Sequence, residues 1–101
     1  MKKIRQKFLR DRLVRILIQQ KELHLLNPNS PNGLTVTQLR DRLIESGFNN
    51  FSGGRQIASL LRTTPGFSVI SQIIPSNDTS FGARSVWTVN ESEYFSWVAD
   101  F

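Results

Sequence analysis

The spacing of apolar residues changes period along this chain at Pro65-Gly66. Before that point they recur every three or four positions, the repeat of a helix; after it they alternate, the repeat of a strand. A chain divided this way folds as helices followed by a hairpin, an α+β class. Its 101 residues suffice for one domain over 1–101 with a single core. Hydrophobic content of 39% and charged content of 21% belong to a folded globular sequence.

Residues 3 to 24 lack Gly and Pro and predict one long helix ending near Leu26, the element over 1–26. Leu9, Leu13, Ile16 and Leu17 form one apolar stripe on it, and Ile4, Phe8, Val14 and Ile18 a second, so this helix must be covered twice. The segment "NPNSPNG", residues 27–33, is a loop, with two prolines, a glycine and three asparagines.

Leu34 follows as a very short strand. Thr35 with Gln38 three positions on has the form of a capping box that starts the second helix. Val36, Leu39, Leu43 and Ile44 supply its buried side, and Gly47 is placed as the cap that ends it. Ser52 is the expected N-cap of a third helix within "SGGRQIASLLRTTPGF". That helix runs to about Thr64 and is stopped by Pro65-Gly66. Its stripe of Ile57, Leu60 and Leu61 faces the core, which leaves Arg55, Gln56, Ser59, Arg62 and Thr63 on the opposite face.

In "FSVISQII", Phe67, Val69, Ser71 and Ile73 alternate with Ser68, Ile70, Gln72 and Ile74, and the β-branched content predicts a strand. "RSVWTV" is its partner, giving a hairpin over 67–89 with "PSNDTSFGA" at the tip. Phe67 and Trp87 are expected to face the core, unlike the stacking aromatics on RNA-binding sheets. Asn90 and Glu93 repeat the capping logic before a C-terminal helix over 90–101, with Tyr94, Trp97, Val98 and Phe101 on one face. Those aromatics either cover the spare stripe of the first helix or pair two chains.

The net charge of +5 is unevenly spread. Residues 1–66 hold twelve Lys or Arg against four acids, while residues 67–101 hold one Arg against four acids. No acid occurs between Glu45 and Asp78, so Arg55 and Arg62 have no acidic neighbour in sequence. Such a balance suits an anionic polymer partner.

Catalysis and metal binding find little support. With no cysteine and a single histidine, thiol, zinc-ribbon and two-histidine arrangements are excluded. His24, between leucines near the end of the first helix, suits a partly buried or helix-terminal role. Asp41 and Glu45, interleaved with Arg42, suit surface charge better than an acid/base pair. "SGGR" lacks the Gly-Lys-Ser/Thr end of a phosphate loop. No cofactor is expected. No apolar run approaches the roughly 18 residues of a membrane span, and no signal-peptide pattern follows the first lysines, so a cytoplasmic protein is expected. The N-x-S/T matches at Asn50, Asn77 and Asn90 are therefore accidental.

The order of elements, and the segments "LTVTQLRDRL", "GFNNFSG", "RQIASLLRTTPGF" and "FSVISQII...RSVWTV", together resemble a winged helix-turn-helix domain. The resemblance covers about residues 34 to 89, with 34–66 as the helix-turn-helix and 67–89 as the wing. The first helix completes a three-helix core and the C-terminal helix is an addition. The texture Arg-x-Ile-x-x-x-Leu followed by Trp-Thr-Val is similar to small winged-helix modules of mobile-element replication proteins. Two features depart from the pattern: the turn between the helices is about five residues long, and the wing tip carries Asp78 with no Lys or Arg before Arg84.

The resemblance implies duplex DNA binding by a recognition helix at 53–64, in a small transcriptional regulator or a replication or mobile-element accessory factor. Its contact residues would be Ser52, Gly53, Gly54, Arg55, Gln56, Ser59, Arg62 and Thr63, with Thr37 and Arg84 beside them. Gly53 and Gly54 would bring backbone N–H groups to a phosphate, and Arg55 and Gln56 would make bidentate contacts with guanine and adenine. In the first helix, Lys2, Lys3, Arg5, Lys7, Arg10, Arg12 and Arg15 divide between backbone anchors and solubilising charge. The aromatic face implies a homodimer through Ile4, Phe8, Tyr94, Trp97 and Phe101. Winged-helix folds also serve as protein-docking adaptors without nucleic acid, which is the alternative reading.

Overall fold

The computed structural model describes residues 4–48, 51–73 and 84–100, and for residues 4–6, 72, 73 and 84 the backbone only. The elements are α1 (Ile4–Leu26), α2 (Val36–Glu45), α3 (Gly54–Thr63), β1 (Phe67–Ile73), β2 (Arg84–Val89) and α4 (Glu91–Ala99). Among the described residues, four helices and one antiparallel hairpin make up an α+β fold. No helix among the described residues is long and apolar enough to cross a membrane.

The first stripe of α1 enters the core as its spacing predicts: Leu9, Leu13, Ile16 and Leu17 are all buried. Burying a leucine contributes roughly 1.5–3 kcal/mol, so this row alone accounts for much of the hold on α1. The second stripe divides. Val14 is buried and Ile18 partly so, but Phe8 stays 54% exposed. The Ile4 side chain lies outside the described residues.

Thr35 caps α2 in both directions: its Oγ1 accepts from the Gln38 N–H at 3.3 Å, and the Gln38 Oε1 accepts from the Thr35 N–H at 2.9 Å. At the other end, Gly47 N–H donates to the Ile44 carbonyl (3.0 Å) and Phe48 N–H to the Leu43 carbonyl (2.9 Å). That pair of bonds closes the helix with Gly47 at φ +88°. Leu39 and Leu43 are buried as predicted, but Ile44 is 51% exposed. Ile44 directly follows Leu43, and one step of about 100° turns it off a stripe that is only two residues wide.

β1 and β2 pair from Phe67↔Val89 to Ile73↔Arg84, with a register shift between Val69 and Ser71 that leaves Ile70 without a partner. This bulge interrupts the simple alternation expected of the strand: Val69 and Ile70 are both exposed, while Phe67 is buried and Trp87 packs partly against the core. Leu34 adds an antiparallel bridge to Trp87 on the far side of β2. The two residues exchange N–H···O bonds of 3.0 and 2.8 Å. Ile74 and the expected hairpin tip, 75–83, lie outside the described residues.

α4 starts where Asn90 Oδ1 accepts from the Glu93 N–H (2.9 Å) and Asn90 N–H donates to the Gly66 carbonyl (2.7 Å). The helix presses on Gly66, where an added Cβ would sit 2.9 Å from the Tyr94 Cβ and the backbone φ of +104° already favours glycine. Tyr94 is 2% exposed, packed near Phe67, Phe95 and Trp97. Its hydroxyl donates to Asp11 Oδ1 on α1 at 2.9 Å. Burial first, then the hydrogen bond to Asp11 and the Asp11 charge, push the Tyr94 hydroxyl up to about 12. Lys21 of α1 donates to the Val89 carbonyl at 3.0 Å and lies 3.6 Å from Glu91, tying the same seam.

Tyr94 therefore does not belong to a surface that pairs two chains, because its own chain has filled that role. Trp97 is also partly buried, beneath the Arg10 guanidinium at 5.2 Å from the ring centroid. Of the two uses open to this aromatic face, these two side chains serve the cover of α1. Phe101 lies outside the described residues.

Candidate nucleic-acid interface

α3 is held by Ile57, Leu60 and Leu61, all buried, and this fixes which side of the helix remains open. Arg55, Ser59, Arg62 and Thr63 are exposed and Gln56 is half-exposed, the division that the helical repeat predicts.

The start of α3 differs from expectation. Its N-cap is Gly53 rather than Ser52, with φ +143° and ψ −169° and no side-chain cap. That backbone conformation is open to glycine and strained for other residues, whereas space is not at issue, since nothing lies within 4 Å of an added Cβ. The turn at Gly53 brings Gln56 back to Ser52, and its Oε1 accepts from the Ser52 N–H (2.7 Å) and Oγ (3.2 Å). Gln56 thus has half of its amide engaged, and bidentate pairing with adenine, which needs both halves, would first have to break these bonds. Thr63 is likewise engaged, donating its hydroxyl to the Ser59 carbonyl at 2.8 Å. Gln56 N–H donates to the Gly53 carbonyl (3.2 Å), but the N–H groups of Gly54 and Arg55 have no side-chain cap and no partner among the described residues.

Across from α3 stands the N-terminus of α2. Thr35, Val36 and Thr37 join Ala58 and Arg62 of α3 and Ser85 and Trp87 of β2 around an open groove of about 330 Å³. Thr37 and Arg62, far apart in sequence, are brought together here. Arg84 opens β2 next to Ser85, with its side chain outside the described residues. Ser85 is a groove residue that its sequence context does not mark, and Trp87, expected to face the core, packs partly against it and also lines the groove. Pairing of Leu34 with Trp87 is what carries them beside α2, and only the three-dimensional fold reveals that adjacency.

The cations differ in how their charge is used. Lys7 pairs with Asp11, Lys21 with Glu91 and Arg40 with Asp41, while Arg42 donates to Gln20 Oε1 at 2.9 Å. Arg12 lies over the Phe48 ring at 5.5 Å. Arg10 is neither an anchor nor a solubilising charge: it is only 7% exposed, and its Nε has no partner among the described residues. Among the described residues, Arg15, Arg55 and Arg62 alone make no ion pair, hydrogen bond or ring contact, and two of the three stand on α3. His24 sits in the last turn of α1, its Nδ1 2.7 Å from the Ser30 carbonyl, a helix-terminal role. No protein family, curated protein or solved structure matches the chain.

Proposed function

We propose that this is a cytoplasmic winged-helix DNA-binding protein that lays the outer face of α3 on duplex DNA. It would serve as a small transcriptional regulator or as a replication or mobile-element accessory factor. The single observation that carries the reading is the pair Arg55 and Arg62: exposed, without an ion pair or hydrogen bond among the described residues, and on a helix whose other side is locked by three buried apolar residues. In support, the capped start of α2 faces the same groove, and the hairpin follows α3 directly with Leu34 bridged to its second strand.

Arg55 and Arg62 have the donors for guanine or for phosphate, Thr37 and Ser85 offer hydroxyls to the backbone, and the uncapped N–H groups at Gly53 and Gly54 suit a phosphate oxygen. No catalytic role is assigned.

Fluorescence anisotropy with random duplex, single-stranded DNA and RNA at several salt concentrations tests the proposal. Neutralising about four to six phosphates gives log K against log salt a slope of roughly −4 to −5 on duplex. A flat salt response would overturn the reading in favour of a protein-docking adaptor, for which the exposed Val69, Ile70 and Phe95 would be the contact residues.

A further inference from the structure

The outer side of α1 carries an exposed row, in which Arg12 also lies over the Phe48 ring. Phe8, Arg12, Arg15, Gln19, Glu22 and Leu26 are spaced four, three, four, three and four residues apart, and all six are exposed. At 100° per residue they fall within about a quarter of the helical circumference, and alternating steps of three and four are those of a seam between two paired helices. The ends are apolar and strongly exposed, Leu26 at 83%. The middle is charged, and Arg15 and Glu22 form no ion pair among the described residues.

We infer that this row pairs α1 with α1 of a second copy, antiparallel and about a two-fold axis. Orientation follows from charge. In a parallel pair, Arg12 would meet Arg12 and Arg15 would meet Arg15, a juxtaposition of like charges. The spacing of the row reads the same from either end, so the antiparallel pair matches every position. Phe8 then meets Leu26 of the second copy, Arg12 meets Glu22, and Arg15 meets Gln19. Each such contact occurs twice by symmetry, the self-complementary form of a two-fold interface. The row from Phe8 to Leu26 gives a contact about 27 Å long. The interface expected from the sequence thus keeps Phe8 but passes from α4, already engaged within its own chain, to the outer face of α1. The inference needs no DNA and stands apart from the proposed function.

Sedimentation velocity of the whole chain from about one to several hundred micromolar tests it. The unaltered chain should reach a dimer. Glu22→Arg, which turns both reciprocal pairs repulsive, should raise the dissociation constant about a hundredfold, and Arg12→Glu should do the same. The double variant Arg12→Glu/Glu22→Arg should restore the dimer, since the two charges have only changed places. Helix content by circular dichroism, with Leu26→Asp as a further variant at an exposed site, separates lost pairing from lost folding. A chain that stays monomeric throughout, a Glu22→Arg chain that still dimerises, or a double variant that remains monomeric would each overturn the inference.

Discussion

α1 and α3 are both rich in arginine, but they use it differently. α1 turns two of its arginines on its own chain, Arg10 buried against Trp97 and Arg12 over Phe48, while Arg15 stays exposed. α3 holds Arg55 and Arg62 out to solvent, with no ion pair to either among the described residues. A count of positive residues would rate α1 the stronger candidate for an anionic partner, yet the surroundings of each guanidinium reverse that ranking. Charge that contributes to packing is charge a ligand does not meet.

The sharpest way to break this contrast is to remove each pair separately. Arg55→Ala with Arg62→Ala should weaken duplex binding by about 2–6 kcal/mol, taking 1–3 kcal/mol for each good base contact, with the melting temperature unchanged. Equal losses of affinity and stability in that variant would make the two arginines structural. Leu61→Ala acts on the other side of the same helix, where the side chain is fully buried. It should cost about 2–5 kcal/mol of stability in denaturant unfolding, and binding should fall with it because the outer face is then no longer held.

Two variants on α1 sharpen the comparison from the packing side. Arg10→Ala should lower stability by roughly 1–3 kcal/mol through lost packing and the lost contact with Trp97, whereas Arg10→Met, which keeps the apolar stem, should recover most of it. Neither should alter the salt dependence of DNA binding.

The hydroxyl of Tyr94 tests the seam between α1 and α4 by pH. Its proton is held up to about 12 in the folded chain and leaves near 10 in the unfolded one. The folded state thus keeps the proton longer. The stabilisation of about 2–3 kcal/mol is full below pH 10 and is lost as pH rises through about 12. Tyr94→Phe should be less stable at pH 7 by about 1–2 kcal/mol and should lack that alkaline decline, which thermal melts between pH 8 and 12 would record.

The smallest effect is expected at the α2 cap. Thr35→Ala removes the acceptor for the Gln38 N–H and should cost about 1 kcal/mol, a fall of roughly 4–8 °C in melting temperature.

Much of the fold was legible because local signals agreed with one another. The capping residues Thr35, Gln38 and Asn90, the stripe Ile57, Leu60 and Leu61, and the period change at Pro65-Gly66 each act within a few residues of chain. What escaped the sequence depends on distant partners. That Arg10 is buried follows from where Trp97 lands, and Tyr94 is spent within the chain because Asp11 and Phe67 meet it. The bulge at Ile70 leaves no trace in a pattern of alternation, since one extra residue shifts the strand without changing its composition. Local chemistry also misled at one point: Ser52 has the side chain of a good N-cap, but the conformation of Gly53 gives the role to the glycine. For the site, the open face of α3 could be read in advance, while the groove joining Thr37, Arg62 and Ser85 could not.

The most direct measurement is the slope of log K against log salt on duplex DNA for three chains side by side: unaltered, Arg55→Ala/Arg62→Ala, and Arg10→Ala/Arg12→Ala. If α3 presents its guanidinium groups to phosphates, the α3 variant should lose up to about two from the magnitude of the slope and the α1 variant should match the unaltered chain. A slope unchanged by the α3 substitutions, or lost with the α1 substitutions instead, would contradict the account.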